Sequence, residues 1–497
     1  MKRILCSRRM KACDRREIET RTPSEVLMEK AASAVYDVLK SDFDLSRVLF
    51  VCGGGNNGGD GLIAAKLCAF DGNETHILFC GSEDACTAEN SRRLAEVKKA
   101  GVKFVSAIDE EYTAVVDAMF GIGLSREIDG ENAEIINAIN LSRAKVLSID
   151  IPSGICADNG EILGCAVKAD ETVAIQAYKR GHLLGEGVEN CGKLICVDIG
   201  ISCSGAENFD GEGDIVPYVL AENDIQLLSK RKKDSNKGTY GRVAIIGGAP
   251  GMCGAVYLSA LAAYRSGAGL VEIFTSNENR IPLQMLIPEA IVTTTDWDEP
   301  DTEKLEEVLE RAKVVCAGPG MSMGKGALRI LSAVYKNVST SLIVDADALN
   351  LTAKYGLEYP LGVPTVITPH PLELSRLSGK TVEELKADLW QSAKSYADDN
   401  HVICVAKDHH TVIAHKTNVF VNASGTPALA KGGSGDVLCG VIAGLRCSGL
   451  SMLGASSLGV YIHGLAGEKA EEKFGMSAPL AHEVANLVGE VLREAGR

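Results

Sequence analysis

One stretch limits the possible architecture more than any other: residues 47–70 read RVLFVC, then GGGNNGGDG, then LIAAKLCAF. A short β-branched run passes through a turn dominated by glycine into an apolar helical pattern. Glycine lets the backbone adopt positive φ and approach a ligand closely. A helix starting there aims free N–H groups and a partial positive charge at an anion. The unit belongs to a series. Candidate strands Arg47–Cys52, Thr75–Cys80, Ala114–Asp117, Lys145–Ile149, Glu171–Ile175 and Leu194–Ile199 alternate with helical segments such as Leu62–Phe70 and Ala88–Ala100. Such alternation predicts a parallel sheet with right-handed crossovers.

A second series of the same kind begins at Arg242–Gly247. It continues through Leu270–Phe274, Lys313–Ala317, Ser341–Asp345, Pro364–Thr368 and Val402–Ala406, and closes with a helix-rich stretch, Ser434–Arg497. A chain of 497 residues exceeds what one core organises, so two α/β domains are expected. The polar, glycine-rich Ser202–Gly213 is the expected linker, reaching no further than about Asn236. The run Lys230–Lys233 reads as a solvated charge cluster. The two halves are not repeats of each other. The first has its glycine-rich loop after its first strand, and the second has its strongest one near its end.

Composition removes several functional classes. A net charge of −15 argues against nucleic acid, whose phosphates call for excess Lys and Arg. An acidic chain binding an anionic cofactor must rely on local devices such as helix starts. Sixteen cysteines without a CxxC pair suit free thiols in a reducing compartment, mostly as small buried hydrophobes. HExxH and Cys/His finger spacings are missing, and no apolar run reaches the roughly 18 residues of a membrane span. The N-terminal 22 residues contain no apolar signal core and carry Asp14, Glu17 and Glu19, which argues against a transit peptide. They are expected to form the first helix of a cytoplasmic, membrane-free protein. A homo-oligomer is also expected.

In the first half, the GxGxxG match within Gly53–Gly61 is weak on its own. A hydride-transfer enzyme would place an acid at the end of the next strand, whereas THILFC runs into Gly81. Asn56, Asn57 and Asp60 add polarity that a structural turn does not need. Two further loops follow strand ends, Asp117–Gly123 and Asp150–Gly154. The carboxyl ends of neighbouring parallel strands form one crevice, so all three loops are expected to meet. There Asn57, Asp117 and Ser153 offer oxygen ligands to a hard monovalent or divalent cation. Taken singly, each Asp would merely cap a helix.

These motifs, with Leu27-Met28-Glu29, Lys179-Arg180-Gly181-His182 and Asp198-Ile199-Gly200-Ile201, resemble the NAD(P)H-hydrate epimerase family over nearly all of residues 1–215. The resemblance implies a Rossmann-like domain. It further implies that Asn56, Asn57, Gly58, Gly59 and Asp60, with Gly121, Ile122, Gly123, Leu124, Ser125, Arg126 and Glu127, cradle hydrated NADH or NADPH. Asn57, Asp117 and Ser153 would hold potassium, and Asp150 would contact the ligand near the nicotinamide. Asp60 or Asp150 is the candidate for proton handling at the epimerising carbon C6.

In the second half, Lys431-Gly-Gly-Ser-Gly-Asp436 opens the helix VLCGVIAGL. Gly432, Gly433 and Gly435 suit an anion-binding helix start, and Asp436 can face a hydroxyl that receives a phosphoryl group. The plain alternative is a glycine-rich cap with a dipole-favourable Asp. No Walker motif is present. Other strand ends supply Gly318-Pro319-Gly320, Asp345-Ala346-Asp347, Thr368-Pro369-His370-Pro371-Leu372-Glu373 and Lys407.

With Lys237–Val243 and Gly247–Ala255, this set resembles the ribokinase-like superfamily. Within it, residues 225–497 resemble the nucleotide-dependent NAD(P)H-hydrate dehydratases. The resemblance implies that Ala255, Gly320, His370 and Asp436 contact the hydrated cofactor. Lys407, Asp408, His409, His410, Thr411 and Gly435 would hold ADP or ATP with Mg²⁺. The C6 hydroxyl would be phosphorylated with Asp436 as base, and phosphate would then be eliminated. One departure is visible. The family usually has Lys-Gly-x-x-Thr where this chain has Lys407-Asp408-His409-His410-Thr411, which brings a negative charge and a Cβ towards the nucleotide.

The expected function is therefore bifunctional repair of hydrated NAD(P)H, by epimerisation of its R and S forms and dehydration of the S form. Two rivals remain. One is a ribokinase-like vitamin-precursor kinase with a non-catalytic N-terminal binding domain; the other is a binding scaffold without turnover.

Overall fold

The computed structural model describes residues 1–108, 111–204 and 216–497. The greater part of the expected linker, residues 205–213, lies outside the described residues. The chain divides into two compact units, Lys2–Pro217 and Tyr218–Arg497, the latter with Met1.

The N-terminal unit is built on seven parallel strands. Their spatial order is Lys103–Val105, Glu74–Phe79, Arg47–Cys52, Ala114–Ala118, Lys145–Ile149, Glu171–Ile175 and Lys193–Val197. Arg47–Cys52 is an interior strand, third in this order, and is buried on both faces. Val48 and Phe50 pack under the helices Ser24–Asp42 and Asn56–Phe70, while Leu49 and Val51 pack with Ile136 and Ile139 of Gly130–Leu141. A continuous apolar run is what such a doubly covered strand requires. The chain leaves Arg47–Cys52 towards one edge and returns on its other side at Ala114–Ala118. This reversal is the crevice where open α/β sheets take ligands, and the loops after both flanking strands are those singled out in the sequence.

Two local readings change. Lys2–Leu5 is a strand, paired in parallel with Tyr178–Lys179, and the first helix starts only at Ser7. The helix after the glycine loop starts at Asn56 rather than Leu62. Asn56–Gly61 are thus helical, because the helix start is pressed onto the sheet. A Cβ on Gly58 would lie 1.8 Å from the Gly53 carbonyl oxygen, and one on Gly53 would lie 2.1 Å from that of Met119. Glycine permits the approach and tertiary packing stabilises the turn.

The C-terminal unit carries a mixed sheet ordered Ile291–Thr295, Leu270–Ser276, Arg242–Ile246, Val314–Ala317, Ser341–Val344, Thr365–Ile367, Ile403–Ala406, Val412–His415, Asn418–Val421 and Tyr218–Val219. It is parallel through Ile403–Ala406, and a hairpin then adds two antiparallel strands. The edge strand Ile291–Thr295 and the hairpin strands escaped sequence reading, being short and interleaved with polar residues. One face is covered by Cys253–Arg265, Ser434–Cys447, Met452–Phe474 and Ala481–Glu494, which share a core with Val243, Ile245, Val271 and Ile273. The strand order again reverses beside Arg242–Ile246. The loops after Arg242–Ile246 and Val314–Ala317 meet there, with Gly248 N–H donating to Pro319 O at 2.9 Å and Ala249 N–H to Gly320 O at 2.7 Å.

Candidate active sites

In the N-terminal unit the three loops converge on a cavity of about 580 Å³. Asn56, Asn57 and Asp60 line it from the first turns of Asn56–Phe70, Gly121 to Arg126 from the second loop, and Asp150 from the third. Gly58 and Gly59 are buried in the helix, against Gly53 and Met28, and Glu127 is exposed; none of these three lines the cavity.

Asp150 is held tightly. Its backbone sits at φ 67, its Oδ1 accepts from Lys179 Nζ and from Ile175 N–H at 3.2 Å, and its carbonyl oxygen contacts His182 Nε2 at 2.7 Å. Lys179 is 1% exposed, so the pair is essentially dry. Burial drives the His182 imidazole down to about 4, reinforced by Lys179, so it is neutral at pH 7. Asp60 contrasts with this. Burial, then the charges of Asp150 and Asp14, hold its carboxyl well above the usual carboxylate range. A carboxyl whose pKa is raised in this way holds its proton more firmly than a free one, which suits a proton donor.

Asp117 and Ser153 sit behind the cavity wall, fully buried. Asp117 accepts from Ser153 Oγ at 2.6 Å and Ser153 N–H at 2.8 Å, from Ser148 Oγ at 2.8 Å and from Met119 N–H at 3.2 Å. Burial nevertheless raises its pKa, with these hydrogen bonds acting the other way. Asn57 Nδ2 donates to the Phe120 carbonyl at 3.0 Å, and that carbonyl also lies 3.3 Å from Ser153 Oγ. The sequence-selected Asn57 and Ser153 thus meet at one carbonyl.

In the C-terminal unit, three consecutive strand ends and one helix start deliver a charge cluster. Lys407, after Ile403–Ala406, reaches back to Asp345, after Ser341–Val344, with Nζ–Oδ1 at 3.0 Å; Thr368 Oγ1 donates to the same oxygen at 2.6 Å. Glu373 Oε2 lies 3.9 Å from the ammonium. A Cβ on Gly435 would stand 3.4 Å from Lys407 Nζ and 3.6 Å from Asp345 Oδ2, so the cluster faces the start of Ser434–Cys447. That helix begins at Gly433, φ 95, with no side-chain cap. Its free N–H groups and the Lys407 ammonium address one point, where an anion would be favoured twice.

Asp436 stands in the first turn of this helix. Burial first, then Asp345 and Asp347, push its carboxyl up to about 7, with Lys407 pulling the other way. Glu373 is pushed up to about 7 by burial, again opposed by Lys407. Ala255 and Gly320 are neighbours, a Cβ on Gly320 standing 3.1 Å from that of Ala255. His370 caps Pro371–Ser378: its Nδ1 accepts from Glu373 N–H at 3.3 Å, while its own N–H donates to Glu373 Oε2 at 2.8 Å. The histidine therefore fixes Glu373, and its ring remains half-exposed.

The nucleotide-loop residues are dispersed. Asp408 pairs with Lys386 at 3.0 Å, His409 is exposed, and the half-buried His410 turns Nδ1 to the Asn422 carbonyl at 2.9 Å. Thr411 gives its carbonyl to Asn422 N–H at 2.9 Å. Sequence reading set Asp345 and Glu373 aside although their motifs were noted, because neither motif shows that both converge on Lys407. Lys11 and Asp14, which also line the N-terminal cavity, carry no motif at all.

A parallel sheet that feeds strand-end acids and a lysine onto a glycine-led helix defines a ribokinase-like domain. A ribokinase-like superfamily protein of Enterococcus faecalis matches it at 30% identity and TM-score 0.52, over 56% of this chain and 96% of that one. A Bacillus subtilis ADP/ATP-dependent NAD(P)H-hydrate dehydratase, co-crystallised with ATP/Mg²⁺, matches at 30% identity and TM-score 0.52, over 57% and 100%. The NAD(P)H-hydrate dehydratase family matches residues 243–488, and the YjeF-related protein N-terminus family matches residues 24–181. Over both units together, the bifunctional NAD(P)H-hydrate repair enzyme of Thermofilum pendens is 35% identical, across 94% of this chain and 92% of that protein. Its counterpart in Escherichia coli is 33% identical across 94% and 89%. The chain belongs to the bifunctional NAD(P)H-hydrate repair enzyme family.

Proposed function

We propose that the N-terminal unit interconverts the R and S forms of hydrated NADH and NADPH, and that the C-terminal unit dehydrates the S form at the expense of an adenine nucleotide with Mg²⁺. The carrying observation is shared by both sites: a helix start with bare N–H groups stands beside a carboxyl whose pKa burial raises, Asp60 in one unit and Asp436 in the other.

In the C-terminal unit, Asp436 takes the proton of the C6 hydroxyl as its oxygen attacks the terminal phosphoryl group. A base with a pKa of about 7 is matched to work at neutral pH. Lys407 and the N–H groups at Gly435 hold the phosphoryl oxygens. Ala255, Gly320 and His370 border the hydrated ring. The C6–O bond then breaks, phosphate leaves, and loss of a ring proton restores the dihydronicotinamide. Phosphate departs far more readily than hydroxide, which is why a kinase-like site serves a dehydratase. Lys386 partners Asp408, so the charge that departs from the family pattern is offset by a neighbouring ammonium.

In the N-terminal unit, Asp60 or Asp150 moves the proton that lets the C6 hydroxyl leave and return. Asn56, Asn57 and residues 121–126 cradle the rest of the ligand. Asn57, Asp117 and Ser153 suit a potassium ion: the donors are all oxygens, and Asp117 is a wholly buried carboxylate with no cationic partner among the described residues. The ion would offset that charge and tie the loops together. The protein is expected to act as a cytoplasmic homo-oligomer.

The test adds the purified chain, Mg²⁺ and ADP or ATP to a mixture of both epimers and follows dihydronicotinamide absorbance. Complete recovery with stoichiometric phosphate is expected. Stalling at the initial S fraction refutes the epimerase, and a stable phosphorylated product would favour a small-molecule kinase. Asp60→Asn and Asp150→Asn separate the two epimerase candidates: full activity in both removes the assignment.

A further inference from the structure

The N-terminal cavity holds a third carboxylate. Asp14 lines it from Ser7–Thr20, a wall independent of the sheet, whereas Asp60 and Asp150 reach it from the carboxyl ends of the strands. The three differ in company. Asp150 is paired with buried Lys179, while neither Asp14 nor Asp60 has a hydrogen-bond or ion-pair partner among the described residues. Two unpartnered carboxyl groups aimed into one ligand cavity carry a cost that folding alone does not explain.

Resting on the epimerase reading above, we propose that Asp14 is a catalytic residue of this cavity, forming with Asp60 an acid–base pair that serves opposite faces of the hydrated ring. Epimerisation inverts one carbon, so a hydroxyl must depart from one face and arrive at the other. A single carboxyl would have to move across the ring to do both, whereas two on separate walls need not. The protonated partner gives its proton to the C6 hydroxyl. The C6–O bond breaks to release water, and the N1 lone pair closes the N1=C6 iminium. Water adds to the other face and gives its proton to the second carboxylate. The pair ends with its proton exchanged, poised for the reverse reaction.

The electrostatics suit this division. Both carboxyls are raised, Asp60 well above the carboxylate range by burial with Asp150 and Asp14, and Asp14 by burial with Asp150. The charged groups bordering the cavity are Lys11 on the helix of Asp14, Arg126 on the second loop, and the Lys179–Asp150 pair. One proton shared between two such acids is the state the mechanism uses.

The full chain is tested with the epimer mixture, Mg²⁺ and ATP. Wild type should give a fast phase, consuming the S fraction, and a second phase limited by epimerisation. In Asp14→Asn the fast phase should be unchanged and the second slowed about 100-fold. Wild type should lose second-phase rate at acid pH as Asp14 becomes protonated, and Asp14→Asn should lack this limb. Asp14→Glu should restore the limb and part of the rate. A second phase within about twofold of wild type in Asp14→Asn overturns the proposal. So does a slower phase that keeps the wild-type pH profile. If wild type has no second phase above the uncatalysed rate, the epimerase reading itself falls and takes this proposal with it.

Discussion

The two glycine-led helix starts keep their acids in different company. In the N-terminal unit the buried lysine, Lys179, is paired with one acid, Asp150, and Asp14 and Asp60 face the cavity without an ion pair among the described residues. In the C-terminal unit one lysine, Lys407, is held in common by Asp345 and Glu373, and its field acts on Asp436 as well. Under the proposed function, the first arrangement favours protonated carboxyls beside a neutral hydroxyl that leaves as water. The second balances acids against a cation, which suits the anionic phosphoryl group of the proposed reaction. On this reading, the same local sequence device suits proton exchange or phosphoryl transfer according to where the nearest lysine is placed.

Asp436→Asn should lower dehydration about a thousandfold and leave epimerisation intact, read as phosphate release and as epimer exchange separately. The same variant should melt later at pH 8. The folded pKa of about 7 lies above the reference 3.8, so the native state binds more protons and Asp436 withdraws stability as pH rises between those values.

Asp150→Asn leaves Lys179 buried without its counter-charge and should cost the N-terminal unit about 3–5 kcal/mol in denaturant unfolding. Asp60→Asn, which breaks no pair, should cost far less. Equal losses would erase the distinction between the two acids. Gly58→Ala, whose Cβ would meet a carbonyl oxygen at 1.8 Å, should destabilise by about 1–3 kcal/mol, whereas Gly55→Ala meets open space and should be nearly neutral.

Dehydration should rise with pH and level off above about 7, as Asp436 loses its proton. Lys407→Met should move that limb to higher pH, since the ammonium holds the Asp436 pKa down. The smallest effect is expected at an exposed pair: Lys386→Ala should raise the KM for nucleotide about two- to fivefold by freeing the Asp408 charge. Salt should narrow that difference.

Much of this was legible in the chain. The Arg47–Cys52 strand, buried on both faces, announced itself as an unbroken apolar run, and GGGNNGGDG and KGGSGD marked helix starts that need bare backbone. Asp60 and Asp436 were found because each sits at such a start. Asp14 was not, because it lies on a polar helix with no periodic or motif signal and meets Asp60 only when that helix folds over the sheet. His370 was read as a ligand contact, and its capping of Glu373 depends on a helix turn that the flanking prolines suggested but did not identify.

Periodicity, glycine placement and strand-end acids, all local properties, suffice to read two α/β units and their glycine-led helix starts off the chain. The tertiary structure alone decided which acid keeps a lysine and which stands without one. Charge interactions act through space between residues far apart in the chain, as Asp345 and Lys407 or Asp14 and Asp60 are, and burial multiplies their strength only once the fold has removed the water.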